Sequence, residues 1–250
     1  MANSILYLGD TSLHGAAAYL AGVMTHAGLS FDYRASDVAL TAEDVATPRK
    51  LYIVSDYASK MISTPLQKQI VEHVAHGAGL LMLGGWETYC GLGGDWSGTP
   101  VGDVLPVEIA TSDDRRNCDD LVLVHCENDQ HPTVRNLPWV ERPPIIGGFN
   151  EVRAQSTGEV VLSARRFRAT YSGEDVRLTP GDVHPLLVVG VHGHGHTAAL
   201  TTDVAPHWVG PLVDWGDARI QAQAPGSWEI EVGSLYVQFV SQLVQWTLQQ

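Results

Sequence analysis

Apolar positions in the first 90 residues alternate between short continuous runs and stripes at helical spacing. Ser4 to Leu8 is an apolar run ending at Gly9-Asp10, after which Leu13, Ala17, Leu20 and Met24 recur three or four residues apart before Gly28. This pattern predicts a strand, a loop and a helix. Phe31 to Arg34 reads as a second strand, and Lys50 to Val54 as a third that ends at Ser55-Asp56. Thr64 is placed to cap a helix with Pro65 at its first position; Leu66, Ile70 and Val74 form its stripe, and Gly77 or Gly79 stops it. Gly79 to Leu83 is apolar throughout. Continuous apolar strands separated by helices imply an α/β fold with a mostly parallel sheet covered on both faces.

Beyond Gly91 the texture changes. Gly, Pro and Trp crowd Gly91 to Pro106 without a helical period, which predicts a long packing or functional loop. Runs at Leu121 to Val124, Pro144 to Ile146, Val160 to Ser163, Leu186 to Val191 and Thr197 to Thr201 predict added strands joined by turns. Arg165 to Val183 is polar and without pattern, so it reads as a surface insertion. Leu235, Phe239, Leu243 and Trp246, after Gly233-Ser234, mark a closing helix. No repeat or linker divides the chain, so residues 1–250 read as one domain.

Composition narrows the setting. Cys90, Cys118 and Cys126 are odd in number and form no CxxC pair, so neither a disulfide framework nor a cysteine zinc site is indicated, and a reducing cytoplasm is expected. The first residues lack a basic leader region, and no apolar run approaches the roughly 18 residues of a membrane span. The formal charge of −13 repels phosphate backbones and anionic lipid. Neither nucleic acid nor a membrane is an expected partner.

Three stretches resemble bacterial glutamine amidotransferase-like proteins. They are Gly79-Leu-Leu-Met-Leu-Gly-Gly-Trp86 with its continuation Gly98 to Val107, then His131-Pro132, then Thr201-Thr-Asp-Val-Ala-Pro-His-Trp208. The resemblance extends over nearly the whole chain and implies a flavodoxin-like fold of the class I glutamine amidotransferase-like type. In amidotransferases of that class, a strand like Gly79 to Leu83 ends in a tight turn that lifts a cysteine onto a helix amino terminus. Here the turn reads Gly84-Gly85-Trp86-Glu87, so the elbow cysteine is missing. Cys90 lies downstream, either a nucleophile one helical turn beyond the elbow or a small buried thiol. The stretch containing Asp203 and His207 resembles the place of the catalytic histidine and its acid partner. That resemblance implies a general base at His207; the alternative is that Asp203 caps a turn over His207 and Trp208.

Other candidates come from position. Asp10 and Asp56 follow the first and third strands, so both project at the carboxyl edge of a parallel sheet, where Gly84 and Gly85 also lie and where ligands bind in open α/β folds. His14 is one turn beyond Asp10. Gly84 and Gly85 permit positive φ and close approach of a backbone N–H to an oxyanion or a sugar hydroxyl, or they merely let the strand turn under Trp86. Glu87 is either a helix cap or an acid–base group. Alternate histidines in His192-Gly-His194-Gly-His196 share one face of a strand, as metal ligands do, although the resembling segment is a hairpin turn. No metal or cofactor is expected.

These readings leave two functions open. One is a hydrolase or lyase for a small molecule, carbohydrate-like by analogy of fold, in which His207, Asp203 and Glu87 are catalytic. Asp10, His14, Asp56, Gly84, Gly85, Trp86 and Trp208 would bind the ligand, with Trp96 as a further stacking face. Cysteine-dependent glutaminase chemistry is not expected. The other is a non-catalytic ligand-binding or assembly protein, because seven tryptophans and the Gly91 to Pro106 loop suit the interface of a homo-oligomer.

Overall fold

The alternating runs and stripes fold as a sheet flanked by helices. The computed structural model describes residues 3–249; Met1, Ala2 and Gln250, the ends of the expected 1–250 domain, lie outside the described residues. In chain order the amino-terminal half supplies β1 (Ile5–Gly9), α1 (Ala17–His26), β2 (Phe31–Ala35), α2 (Ala42–Val45), β3 (Leu51–Ser55), α3 (Thr64–Ala75), β4 (Gly79–Leu83) and α4 (Pro100–Asp103). The remainder supplies β5 (Val107–Glu108), β6 (Arg115–Asn117), β7 (Leu121–Cys126), β8 (Gly148–Asn150), β9 (Arg153–Ala154), β10 (Glu159–Ser172) and β11 (Asp175–His192). It closes with β12 (Gly195–Leu200), α5 (Pro206–Val209), β13 (Arg219–Ala222), β14 (Ile230–Gly233) and α6 (Ser234–Thr247).

Eight strands form the main sheet in the order β2-β1-β3-β4-β12-β11-β10-β7. The first five are parallel neighbours, which is the flavodoxin-like order, and the last three are added antiparallel at one edge. Strand order reverses between β1 and β3. Side chains alternate across the sheet: Ile5, Tyr7, Ile53, Leu81 and Leu83 share a core with α1 and α6, while Leu6, Leu8, Tyr52, Val54 and Met82 share another with α3. With both faces covered, each such side chain contributes about 1.5–3 kcal/mol of burial, and a continuous apolar run is the result.

Several expected boundaries move. Helix α1 starts at Ala17, not Leu13, because residues 11–16 form turns in which the His14 N–H donates to Ser12 Oγ (3.0 Å). Ser63, not Thr64, precedes the first residue of α3. Pro144 to Ile146 forms no strand; Ile145 makes a single bridge to Leu123, since Pro143 and Pro144 have no N–H to donate. Arg165 to Val183, expected to be a patternless insertion, is the outer part of the β10–β11 hairpin. Phe167, Ala169 and Tyr171 on one strand and Val176, Leu178 and Pro180 on the other alternate with polar residues, a strand period that the sequence reading passed over.

Candidate active site

The loops after all five parallel strands converge on one cavity of about 460 Å³. Asp10, Thr11 and Ala16 come from the connection after β1, Ser36 from that after β2, and Asp56 from that after β3. Trp86 and Glu87 follow β4, while Asp203, His207 and Trp208 follow β12. This is the carboxyl edge of the sheet at its switch in strand order, where an open α/β fold leaves a crevice. Two tyrosines pin its rim from below: the Tyr33 hydroxyl donates to the Asp10 carbonyl, and the Tyr236 hydroxyl donates to the Val204 carbonyl.

Asp56 is the central group. Its backbone is left-handed, with φ at 50°, a conformation that Asp and Asn tolerate better than most residues. The turn aims the carboxylate over Gly85, and Oδ1 accepts the Glu87 N–H at 2.9 Å. Burial first, then the charge of Asp203, push the Asp56 carboxyl up to about 7, against the pull of the Glu87 and Trp86 N–H groups. Asp56 thus gains or loses its proton near neutrality.

His207 stands on α5 with its side chain 68% exposed, whereas that of Asp203 is 7% exposed. Asp203 does two things: Oδ1 accepts the Ala205 N–H at 2.9 Å, and Oδ2 lies 3.4 Å from His207 Nδ1. That contact raises the imidazole above its usual value, and the charges of Asp203, Asp56 and Asp10 add to the effect. Trp208 is buried, its Nε1 donating to Asn117 Oδ1 at 2.8 Å, and so presents little face to a ligand. Trp86 is half exposed, with the Arg115 guanidinium 4.6 Å from its ring centre.

Four expectations change. Gly84 and Gly85 do not adopt positive φ; they are required by space, because a Cβ on Gly84 would lie 2.1 Å from the Thr201 carbonyl oxygen and one on Gly85 2.1 Å from Asp56 Oδ1. Their N–H groups are spent internally as well. Gly84 donates to the carbonyls of Leu200 and Thr202, and Gly85 to Asn150 Oδ1. Glu87 caps no helix, since residues 86–90 form turns. Trp96 offers no stacking face: it is fully buried and donates to the Tyr57 carbonyl at 3.0 Å.

The structure separates other candidates from the cavity. Cys90 is buried on the far side of the turn, where its own N–H and that of Gly91 donate to Asp114. Burial, then the carboxylates of Asp114, Asp95 and Asp113, raise its thiol, the opposite of what a nucleophile needs. His14 is exposed and sits edge-on to Trp228. His192 ends β11 and His194 lies in the hairpin turn, while His196 donates from Nδ1 to the Trp246 carbonyl at 2.8 Å and stacks on its indole. Among the described residues no three His, Cys, Asp or Glu side chains are grouped to hold a metal ion.

Sequence reasoning missed Ser36, Thr11 and Ala16 in the wall, and the Asn150–Asp114 pair beneath the turn. Asn150 Nδ2 donates to the Gly85 carbonyl and to Asp114 Oδ1. Asn150 follows Gly147-Gly148-Phe149, a stretch with no periodic signal. Ser36, directly after a predicted strand end, could have been found by the rule that placed Asp10 and Asp56.

Comparison with known proteins fits this architecture. The cytoplasmic protein STM3548 from Salmonella typhimurium superposes with a TM-score of 0.72 at 21% identity, over 97% of this chain and 98% of that one. The cytoplasmic protein STM1381 from Salmonella typhimurium LT2 gives 0.72 at 19% identity with the same coverage. The mmIFT52 N-terminal domain gives 0.56 at 10% identity, over 98% and 97%. At these identities the likeness is one of fold. No curated protein sequence matches, and no helix among the described residues is long and apolar enough to cross a membrane. A family model described as "Putative glutamine amidotransferase" matches residues 43–221, well over half of the chain, and the chain belongs to that glutamine amidotransferase-like family.

Proposed function

We propose that this protein is a hydrolase or lyase for a small, uncharged, hydroxyl-rich molecule, and not a glutaminase. The observation that carries the reading is the pairing, in one cavity, of a carboxyl pushed up to about 7 with an imidazole that the Asp203 contact holds above its usual value. Asp56 as carboxylate can take a proton, and the upward shift of His207 favours its proton-donating form, which is the division of labour that acid–base catalysis requires. Glu87 at the wall is a second carboxylate in reach of a bound ligand.

Charge sets the ligand class. Asp10, Asp56, Glu87 and Asp203 surround the cavity, and His207 is the titratable cation among its lining residues. Anions are repelled, whereas hydroxyl donors find acceptors, and the half-exposed ring of Trp86 offers an apolar surface for the C–H face of a sugar. The Gly84 and Gly85 N–H groups are already bonded within the protein and are not free to stabilise an oxyanion, which weighs against acyl transfer to Cys90. The acidic chain also disfavours nucleic acid. We assign it to the cytoplasm, where the names of its two Salmonella neighbours place those proteins.

The test is a screen of neutral sugars, sugar lactones and glycosides by ligand-observed NMR, followed by product detection. Turnover of a hit is expected to fall by about 10²-fold or more in His207→Ala and in Asp56→Asn, with binding retained in at least one. Preferential binding of anionic sugars, or turnover indifferent to both substitutions, would refute the assignment.

A further inference from the structure

A second cavity, of about 720 Å³, lies at the opposite edge of the sheet from the candidate active site. Arg49 and Lys50 lead into β3 and Ala78 leads into β4, so the amino ends of two parallel strands close one side. Lys68, Glu72 and His73 of α3 form the other. The volume falls within the roughly 300–1,000 Å³ of small-molecule sites.

Its charge is the reverse of that at the carboxyl edge. The chain holds three lysines, Lys50, Lys60 and Lys68, and two of them line this cavity. Both are exposed, and neither makes an ion pair among the described residues. Arg49 is spent on the wall itself, donating to Asp32, to the Asn3 carbonyl and to the Asp44 carbonyl. With Arg49 set aside, two ammonium groups stand against the one carboxylate of Glu72 in the lining. Asp32 and Asp44 behind the wall are paired with Arg49 and Arg34.

A histidine of fixed tautomer adds a neutral donor. The Tyr52 hydroxyl accepts the Arg49 N–H at 3.2 Å and lies 2.6 Å from His73 Nδ1. Its single hydrogen has no other acceptor among the described residues, so it is donated to Nδ1, and the ring proton of neutral His73 resides on Nε2. His76 is set the other way, its Nδ1–H donating to the Glu72 carbonyl at 2.7 Å, so it gains a second donor only on protonation.

We propose that this cavity binds a small molecule carrying a phosphate group, held by the ammonium groups of Lys50 and Lys68 and by the Nε2–H of His73. Lysine binds phosphate as a point charge, and its flexible four-carbon stem lets two ammonium groups close on one compact dianion. The cavity is many times larger than a phosphate group, which leaves room for the rest of the ligand. Chain charge limits the ligand's size: a body of −13 repels an extended polyanion, whereas a charge confined to the cavity lies within about one Debye length, ~8 Å, of the lysines. This site is independent of the chemistry at Asp56 and His207.

The experiment is an amide NMR titration of the full chain with inorganic phosphate, pyrophosphate and citrate. Both phosphates are expected to give saturable shifts at Lys50, His73 and Gly77. Lys50→Met/Lys68→Met should raise the pyrophosphate Kd by about tenfold or more, while Lys50→Arg/Lys68→Arg keeps the charge and should retain binding. Glu72→Gln removes the opposing carboxylate and should tighten binding, by up to about fivefold. Because Lys50, Lys68 and Glu72 are exposed, each variant's thermal midpoint should match the parent's, which separates loss of binding from loss of folding. Absence of saturable shifts with both phosphates overturns the proposal. So do shifts confined to the Asp56 cavity, an unchanged Kd in the methionine variant, or tighter binding of citrate than of pyrophosphate.

Discussion

Asp56→Asn isolates the electrostatic cost of the site. Asparagine keeps the shape, suits the φ of 50° and still offers Oδ1 to the Glu87 N–H, but it cannot ionise. In the parent, the folded-state carboxyl titrates at about 7 instead of 3.8. Below the ordinary value both folded and unfolded forms are protonated, and Asp56 costs nothing. Between the two values the unfolded chain has released a proton that the folded chain retains, so stability falls by about 1.4 kcal/mol per pH unit. Across this roughly three-unit window the full penalty is about 4 kcal/mol, and relaxation around the carboxylate reduces the expected measured value to about 2–4 kcal/mol. The variant is thus expected to match the parent near pH 4 and to be the more stable protein by about that amount near pH 8. Urea unfolding of both proteins across this range measures the difference directly, because other titrating groups largely cancel. A stability difference that stays constant with pH, to within about 0.5 kcal/mol, would show that Asp56 ionises normally and would remove the central argument for acid–base chemistry.

Other outcomes follow from the same geometry. Gly85→Ala puts a methyl where Asp56 Oδ1 stands, so it is expected to cost about 1–3 kcal/mol in thermal unfolding and to abolish the pH-dependent difference described for Asp56→Asn; an alanine variant as stable as the parent would contradict the packing. Iodoacetamide at neutral pH should label Cys90 more slowly than a free thiol, by about tenfold or more, and Cys90→Ala should leave any turnover intact; fast labelling, or loss of turnover, would restore the cysteine. Trp96→Ala should cost about 3–5 kcal/mol, whereas Trp86→Ala should cost under about 1 kcal/mol yet weaken ligand binding, and equal costs would mean that the exposed and buried roles are misassigned.

The parallel core was legible because burial on both faces leaves a one-dimensional trace. Gly79 to Leu83 carries no polar residue, and Ala17, Leu20 and Met24 repeat at the helical period, so elements could be placed by counting. The hairpin tip was not legible for the converse reason. Phe167, Ala169 and Tyr171 alternate with arginine and threonine over too short a run, with one small residue, to stand out, and their partners Pro180, Leu178 and Val176 are identified only by the register of the folded hairpin. At the site, position relative to strand ends identified Asp10, Asp56 and the β4 turn. The role of Asp56 stayed hidden because it depends on burial and on the charge of Asp203, which is 147 residues away in sequence.

That the turn after β4 holds Gly84-Gly85 and no cysteine has a physical explanation in that same carboxylate. Position 85 has no room for any side chain, since the space its Cβ would enter holds Asp56 Oδ1, and position 84 is closed by the Thr201 carbonyl. Placing a cysteine at either glycine would displace a group on which the turn depends: Asp56 accepts the Glu87 N–H, and the Gly84 N–H is bound to Leu200 and Thr202. The turn is therefore built around a carboxylate, with the N–H groups of Gly84, Gly85 and Glu87 bonded within the protein. A single substitution restoring cysteine at Gly85 should produce a destabilised protein without glutaminase activity, whereas a nucleophilic elbow merely emptied of its sulfur would regain that activity once the cysteine returned.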